Sequence, residues 1–249
     1  MSLEDRVVIV TGAARGLGRD YALRFAADGA IVVVADLDEA GSRGTVATIE
    51  SAGGRARHLG VDVTDDTSTR AMAREVTSAF GRIDVLVNNA GVWGDLERGP
   101  LAEIEPRYFD LVMAVNLKGP LLCSQAVLPA MRERHWGRIV NISSIGAYMA
   151  SGVYGVSKLA LNQFTFALAS EVGQDGVTVN AVAPGTIANE ATLRQVSEAA
   201  LQGLVNRAAI KRPGTSDDLY SMISYLASDE AEWVTGQTFA VNGGFSSRL

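Results

Sequence analysis

A tyrosine and a lysine lie four residues apart at the start of an apolar stretch, "SGVYGVSKLALNQF" (151–164). In a helix this spacing puts Tyr154 and Lys158 on one face, with Cβ atoms roughly 5–6 Å apart. A free tyrosine has a pKa of about 10, and lowering it to near 7 needs roughly 4 kcal/mol. A unit charge about 4 Å away supplies about that much at an effective dielectric near 20. The pair could therefore be a proton-transfer device, although the spacing alone fits a surface tyrosine beside a lysine equally well.

A glycine-rich loop, "TGAARGLG" (11–18), joins a short apolar run to a helical stretch. Gly12, Gly16 and Gly18 allow a tight turn and let the backbone approach a pyrophosphate, which binds at the helix N-terminus. The spacing differs from the G-x-G-x-x-G of the standard dinucleotide fingerprint. The loop by itself is also compatible with a turn that binds no ligand.

An acidic residue ends the next apolar run, since Asp36 follows Gly18 by 18 positions. A carboxylate there can accept hydrogen bonds from the adenosine ribose and would repel a 2′-phosphate. A single Asp could equally be a helix cap, but loop, helix, strand and acid in this order predict an NAD site. Arg15, in the glycine loop, could instead help to bind a 2′-phosphate. We favour a solvated charge near the pyrophosphate for Arg15, because Asp36 opposes the phosphate.

Short β-branched runs alternate with longer helical stretches along the chain, from "RVVIVT" (6–11) to "VTVNAVAPG" (177–185). Near-continuous Val/Ile runs are typical of strands buried on both faces. The alternation predicts one α/β domain over residues 1–249, a Rossmann-like doubly wound parallel sheet with helices on both faces. Asp65 is a predicted N-cap, and Gly53 and Gly54 should stop a helix. The weakly periodic stretch 186–215 should form a mobile substrate-binding lobe.

The composition narrows the class of protein. The chain has 249 residues, 47% hydrophobic and 20% charged, with a net charge of −6. Without a basic run we expect no nucleic-acid or membrane partner, and no run reaches the ~18 apolar residues of a membrane span. Cys123 is the only cysteine, so no intrachain disulfide can form, which fits a cytoplasmic protein. With two histidines besides, we expect no metal site.

Several motifs in order resemble the short-chain dehydrogenase/reductase family over nearly the whole chain. They are "TGAARGLG", "NNAG" (88–91), "YGVSK" (154–158) and "PG" (184–185). The resemblance implies an NAD-dependent oxidoreductase that interconverts a secondary alcohol and a ketone by hydride transfer.

The resemblance also assigns roles to residues. Tyr154 would be the general acid/base, Lys158 would bind ribose and lower the tyrosine pKa, Ser144 would hydrogen-bond the substrate oxygen, and Asn116 would hold a water in a proton relay. Ser143 is the alternative to Ser144. Besides Tyr154 and Lys158, the cofactor-binding residues would be Gly12, Arg15, Gly16, Leu17, Gly18, Asp36, Asp62, Val63, Asn89, Ala90, Gly91, Pro184, Gly185 and Ile187.

Two departures from the family pattern concern the pocket. Ser144 precedes Tyr154 by 10 positions, which is shorter than is typical of the family, so the intervening loop should be tighter. Asn189 stands where the family often has Thr. The pocket should be bordered by apolar side chains, which suggest an apolar, aromatic or alicyclic substrate but could also be core or lid packing: Trp93, Leu96, Met149, Ile187 and Leu193.

The helix 154–170 is apolar in several directions and must be covered on more than one side. The resemblance therefore predicts a homotetramer, with a dimer as the alternative. Two other functions stay open. One is a non-catalytic nucleotide-binding redox sensor, and the other is an enzyme that uses its cofactor transiently, as epimerases and dehydratases do.

Overall fold

A computed structural model describes residues 3–93, 101–188 and 197–245. Its centre is a seven-stranded sheet in which every neighbouring pair is parallel, in the order β3-β2-β1-β4-β5-β6-β7. The strands are β1 (Val7–Thr11), β2 (Ile31–Asp36), β3 (Arg55–Gly60), β4 (Val85–Asn88), β5 (Gly137–Ile142), β6 (Val177–Pro184) and β7 (Thr238–Val241). This order confirms the predicted Rossmann-like doubly wound sheet.

Helices cover both faces of the sheet. They are α1 (Gly16–Ala27), α2 (Glu39–Ser51), α3 (Asp66–Phe80), α4 (Pro106–Met113), α5 (Gly119–Glu133), α6 (Gly152–Val172), α7 (Glu198–Arg207) and α8 (Ser216–Leu226). The carboxylate of Asp65 accepts a hydrogen bond from the Thr67 N–H, which confirms the predicted cap of α3. α2 ends at Ser51, and Gly53 follows with a φ of +82°, as expected for a glycine that stops a helix.

Two hydrophobic clusters make the core, one on each side of the sheet. Phe25 of α1 and Leu219 of α8 pack with Val34 on one side. Met72 of α3 and Met131 of α5 pack on the other. β1 is buried at every position, because both of its faces carry helices. The two layers hold the carboxyl ends of the strands at one fixed edge.

The helical region of residues 106–133 is interrupted. α4 ends at Met113, a π-helical turn spans Ala114–Lys118, and α5 begins at Gly119. π-turns inside helices often mark functional sites because they displace side chains and backbone carbonyls from the regular ladder. Asn116, one of the predicted site residues, lies within this turn.

One helical stretch is long enough and apolar enough to cross a membrane, judged by its length and composition alone. Within the described ranges, Pro106–Glu133 contains an 18-residue window of mean hydropathy 1.4, but half of that window is buried inside the molecule. Its buried residues Cys123, Val127 and Met131 belong to the core cluster under the sheet. The apolar composition is therefore that of a core helix.

Candidate active site

The carboxyl ends of the parallel strands bring the sequence motifs together at one edge of the sheet. Thr11 ends β1, Asp36 ends β2, Asn88 ends β4 and Pro184 ends β6. β1 pairs with β2 on one side and with β4 on the other. Strands β2 and β3 therefore extend the sheet in one direction from β1, and the strands from β4 onward extend it in the opposite direction. In open α/β sheets, a crevice for ligands lies at this switch point.

The glycine loop between β1 and α1 has the geometry of an anion cradle. Gly12 and Gly16 have φ values of +66° and +59°, and no atom lies within 4 Å of the position that a β-carbon on Gly16 would take. Arg15 occupies the N-cap position of α1, but its side chain makes no capping hydrogen bond. The first N–H groups of the helix, including that of Leu17, therefore receive no acceptor from this side chain. These donors and the helix dipole suit a pyrophosphate.

Gly18 and Asn89 fit the loop against the next strand. A β-carbon on Gly18 would collide with the carbonyl oxygen of Gly12 and with the amide of Asn89. The Asn89 Nδ2 donates to the carbonyl oxygens of Thr11 (2.9 Å) and Gly12 (3.1 Å). The side chain of Asn89 thus fixes the loop, and its position beside the loop agrees with the predicted cofactor site.

Thr11 is a further residue of this site that the sequence analysis quoted but did not assign. Its Oγ1 accepts hydrogen bonds of 3.1 Å from the N–H groups of Asn89 and Ala90, and it lies 3.4 Å from the carbonyl oxygen of Val87. The hydroxyl therefore joins β1 to the segment after β4. Its position directly before Gly12 in the glycine-rich motif was the sequence feature that could have identified Thr11 as a site residue.

Asp36 lies beside the glycine loop, as the sequence predicts. One carboxylate oxygen accepts a 2.9 Å bond from the Ala14 N–H and the other a 3.0 Å bond from the Asp38 N–H. The side chain is partly exposed, and each oxygen keeps a lone pair for a ribose hydroxyl. The neighbouring Leu37 is 74% exposed, an apolar surface at this end of the crevice that the sequence analysis did not identify.

Asp62 and Val63 follow β3 at the same edge. The carboxylate of Asp62 accepts hydrogen bonds from the N–H (2.8 Å) and hydroxyl (2.7 Å) of Thr64, so it stabilises its own turn. The side chain of Val63 packs on Gly119, where a β-carbon would lie 3.0 Å from Val63 Cγ2. The placement allows contact with an adenine ring, but the contacts made within the protein are structural.

Tyr154, Ser144 and Gly146 meet at the start of α6. The Ser144 oxygen accepts a 3.0 Å bond from the Gly146 N–H and lies 3.2 Å from the position that a β-carbon on Gly146 would take. A β-carbon on Gly146 would lie only 3.1 Å from Cε1 of Tyr154. The short loop folds as a 3-10 turn, Ile145–Tyr148, with Ser144 as its N-cap. The tighter loop that the sequence predicts thus brings Ser144 to Tyr154.

The alternative serine makes no such contact. Ser143 is 3% exposed, its N–H donates to the Val182 carbonyl, and its hydroxyl lies 3.4 Å from the carbonyl oxygen of Lys158. Asn141, one turn of strand earlier, bridges Asn88 and Thr165 with bonds of 2.9 Å each. This buried bridge ties β4 and β5 to α6, which is the structural role that the position of Asn141 at the end of its strand suggests.

The prediction that Lys158 lowers the pKa of Tyr154 to near 7 is not met by the groups of the protein itself. Burial raises that pKa to about 12, and the Ser144 hydrogen bond acts against the rise. Lys158 Nζ lies 5.7 Å from the ring centroid and donates a 2.8 Å bond to the Ile142 carbonyl. Burial lowers the pKa of Lys158 to about 8. Lys158 therefore loses its proton more readily than a free lysine, and one of its N–H donors is directed to the Ile142 carbonyl rather than to the phenol.

Asn116 lies beside Lys158, on the cofactor side of the site. Its Oδ1 accepts from the Val92 N–H at 2.8 Å, and its Nδ2 donates to the Val92 carbonyl at 3.2 Å. A β-carbon on Gly91 would lie 3.4 Å from the Asn116 Oδ1 and 3.7 Å from the Lys158 Nζ. The predicted residues Asn116, Gly91 and Lys158 are thus neighbours.

The turn after β6 faces the same crevice. The Gly185 N–H donates to the Val241 carbonyl at 2.9 Å, and a β-carbon on Gly185 would come within 2.6 Å of Asn242 Cα. Ile187 is 6% exposed and packs into the core, and it also lines a cavity together with Gly185 and Val205, as predicted for a residue at the border of the pocket. Trp93 and Met149 remain partly exposed. Leu96, Asn189 and Leu193 lie outside the described residues.

The residues present fit a dinucleotide. The cradle around Gly16, the uncapped start of α1 and the acid beside the loop suit the phosphates and the ribose, while the phenol and the lysine lie at the far end of the crevice. Fold and site together define an oxidoreductase of the Rossmann-type α/β class.

Comparisons with known proteins agree with this class. The family model described as "Enoyl-(Acyl carrier protein) reductase" matches residues 12–246. An uncharacterized oxidoreductase of Mycobacterium tuberculosis is 42% identical over 241 residues, which is 97% of each chain. The chain belongs to the short-chain dehydrogenase/reductase family, whose members use a nicotinamide cofactor.

Relatives with assigned reactions are similar over almost their full length. The BbsD subunit of (2S)-[(R)-hydroxy(phenyl)methyl]succinyl-CoA dehydrogenase from Thauera aromatica is 39% identical, with 99% of this chain and 98% of the relative covered. A 3-oxoacyl-[acyl-carrier-protein] reductase of Pseudomonas aeruginosa is 38% identical, with 98% of each covered. The crystal structure of levodione reductase superimposes with a TM-score of 0.92 at 31% identity, covering 99% of this chain and 100% of the other.

Proposed function

We propose that this protein is an NAD-dependent oxidoreductase that interconverts a secondary alcohol and a ketone, with Tyr154 as the general acid/base. The observation that carries the proposal is that Ser144 and Tyr154 meet at Gly146, where a β-carbon would lie 3.2 Å from the Ser144 Oγ and 3.1 Å from Cε1 of Tyr154. The buried Lys158 lies beside them, at the end of a crevice that begins at Asp36. A substrate oxygen placed between the two hydroxyls would contact both.

The chemistry assigned to the chain is proton transfer and orientation. A bound nicotinamide ring would accept the hydride in alcohol oxidation and donate it in ketone reduction. Tyr154 takes the proton of the alcohol hydroxyl in one direction and returns it to the ketone oxygen in the other, while Ser144 donates a hydrogen bond to that oxygen. Lys158 has three N–H donors, of which one serves the Ile142 carbonyl, so two remain for ribose or water.

The carboxylate of Asp36 supports NAD as the cofactor. Its charge lies where the 2′-position of the adenosine ribose would come, and a phosphate there would face a like charge. Arg15 at the start of α1 is exposed and is the one basic residue in the glycine loop. The preference for NAD therefore depends on the balance between Asp36 and Arg15.

The substrate class that we propose is an apolar ketone or its alcohol. Trp93 and Met149 are partly exposed apolar side chains in segments next to the catalytic residues. The named reactions of the relatives include 3-oxoacyl and hydroxyacyl thioesters, whose reacting group is also a ketone or a secondary alcohol. An alicyclic ketone and a 3-oxoacyl thioester are therefore the two substrates to test first.

We also propose a homotetramer in the cytoplasm, with a dimer as the alternative assembly. α6 exposes large apolar side chains on the side away from the sheet, with Val156 at 44%, Leu159 at 50% and Phe166 at 56%. An apolar face of this kind favours contact with a second copy of the chain. The free Cys123 is fully buried and fits a reducing compartment.

The decisive experiment follows absorbance at the NADH band with a panel of secondary alcohols and ketones. The panel includes cyclohexanone, cyclohexanol and acetoacetyl-CoA, each with NAD(H) and NADP(H), and Tyr154→Phe is the matched control. Net NADH formation from an alcohol, or consumption by a ketone, is expected for the wild type and not for the variant. Substrate isomerisation or dehydration without net NADH change would favour transient cofactor use, and NADH binding without turnover would favour a sensor.

A further inference from the structure

A buried serine in the catalytic helix connects three segments of the site. The Ser157 hydroxyl donates a 2.7 Å hydrogen bond to the Tyr154 carbonyl and accepts a 3.1 Å bond from the Asn116 Nδ2. Ser157 and Asn116 are both 0% exposed. We propose that Ser157 is a positioning residue that acts through Asn116 on the segment Gly91–Val92 and on the surroundings of Lys158. This inference rests on the proposed oxidoreductase function.

The hydrogen-bond inventory of Asn116 explains why the serine matters. Its amide has two N–H donors, and they bond the Val92 carbonyl and the Ser157 hydroxyl. Its oxygen accepts from the Val92 N–H at 2.8 Å. Without the Ser157 hydroxyl, one buried N–H would lose its acceptor, and the amide would gain by rotating toward another partner.

Rotation of Asn116 would affect groups that touch cofactor or substrate. The Asn116 Oδ1 and the Lys158 Nζ both lie close to Gly91, at 3.4 Å and 3.7 Å from the position of a β-carbon there. A change in the amide orientation would therefore alter a polar neighbour of the lysine and release Val92, the residue before Trp93. A chain of hydrogen bonds therefore links the segment after β4, the π-turn and α6, and it runs from Val92 through Asn116 and Ser157 to Tyr154.

A serine in a helix often bonds the carbonyl one turn earlier, with no role beyond that local contact. Ser170 of the same helix is such a case, since its hydroxyl bonds the Phe166 carbonyl at 3.0 Å and the side chain is exposed. Ser157 differs because it is fully buried and bonds a residue 41 positions away. Ser170→Ala is therefore a matched control for the loss of a helix-bonded hydroxyl.

The first test compares Ser157→Ala, Ser157→Thr and Ser170→Ala in the full chain. The turnover number kcat of Ser157→Ala with the best panel substrate should fall about tenfold, the effect expected for one hydrogen bond. Ser157→Thr, which keeps the hydroxyl, should recover most of it, and Ser170→Ala should match the wild type. Equal loss in the Thr and Ala variants, with both folded, would overturn the proposal. If Ser157→Ala does not fold, Ser157→Cys, which keeps the volume but is a weak acceptor, replaces it.

The second test asks whether the serine acts through the asparagine. In a double-mutant cycle, Ser157→Ala should cause little further loss of kcat in an Asn116→Ala background, whereas two independent structural effects would add. Additive losses would contradict the proposal.

A third measurement needs no substrate. Amide hydrogen exchange of a peptide containing Val92 should be faster in Ser157→Ala than in wild type, and unchanged in Ser170→Ala. Unchanged exchange in Ser157→Ala would overturn the inference. Failure of the wild type to turn over any panel member would instead count against the proposed function.

Discussion

The carboxylate of Asp36 accepts a 2.9 Å hydrogen bond from the backbone N–H of Ala14, so the acid that ends β2 also holds the glycine loop that ends β1. Its other oxygen accepts from the Asp38 N–H at 3.0 Å. One side chain thus shapes the phosphate cradle and presents negative charge beside it. Substitutions of Asp36 will therefore change both loop geometry and cofactor charge, and these two effects can be separated.

Wild-type protein should use NAD with a kcat/KM about 10- to 100-fold higher than NADP, since losing a hydrogen bond to a charged group costs ~1.5–3 kcal/mol. Asp36→Ala should weaken NAD use and raise NADP use. Asp36→Asn keeps an amide oxygen for the Ala14 N–H but removes the charge and the acceptor for the Asp38 N–H. It should therefore raise NADP use while conserving thermal stability better than Asp36→Ala, which loses both acceptors. Kinetics with both cofactors and thermal unfolding check this. Equal or better use of NADP by the wild type would show that Arg15 outweighs Asp36.

Tyr154→Phe should lower kcat by at least ~100-fold, the low end for general acid–base catalysis, because it removes the proton carrier. The ring stays in place against Gly146, so the fold and NADH affinity should be conserved. Steady-state kinetics and NADH fluorescence titration measure the two effects. Near-normal turnover in a variant that binds NADH normally would reject the assigned role.

Ser144→Ala should cut kcat strongly and shift the pH profile, whereas Ser143→Ala should do neither. The Ser144 hydrogen bond lowers the pKa of Tyr154, so its loss raises that pKa. Alcohol oxidation needs the deprotonated phenol, and its increase with pH should therefore move to higher pH in Ser144→Ala. Rate measurements across the alkaline range check the sign. A larger effect from Ser143→Ala would show that the short loop has moved the site to the first serine.

Gly18→Ala should reduce both NADH affinity and stability, because its β-carbon would strike the Gly12 carbonyl and the Asn89 amide. Gly44→Ala is the matched control. Gly44 lies in α2 with no atom within 4 Å of its β-carbon position, so alanine should stabilise the protein by about 0.5–1 kcal/mol. Thermal unfolding and NADH titration compare the two. A Gly18→Ala protein with unchanged NADH affinity would contradict the assignment of the cradle.

Phe166→Glu should disrupt the proposed assembly, because it would bury a charge in the contact between copies. Gln163→Glu adds the same charge to an exposed position of the same helix and should leave the assembly unchanged. Light scattering of both variants measures the molecular mass. A wild-type mass of one chain would contradict the tetramer and the dimer alike.

Local patterns in the sequence were sufficient for the architecture. Val/Ile runs specify buried strands, Asp65 and Gly53 mark helix ends, and the strand–helix alternation requires parallel pairing. The last strand, β7 (Thr238–Val241), and the helices α7 and α8 were not assigned, although the capping box of Thr215 and Asp218 marks the start of α8. β7 is an edge strand that is only half-buried, so it lacks the continuous apolar run of the central strands.

The sequence by itself determined which chemical groups are present and in what order: the glycine loop, the acid after β2, the serine pair and the Tyr154–Lys158 turn. These follow from spacing along single elements. Only the tertiary structure decided how they act on one another, because electrostatics and hydrogen bonding depend on distances between elements far apart in the chain. Burial raises the pKa of Tyr154 to about 12, and the Ile142 carbonyl takes a donor of Lys158. The short loop places the Ser144 oxygen and the Tyr154 ring on either side of Gly146, and the π-turn brings Asn116 to Ser157.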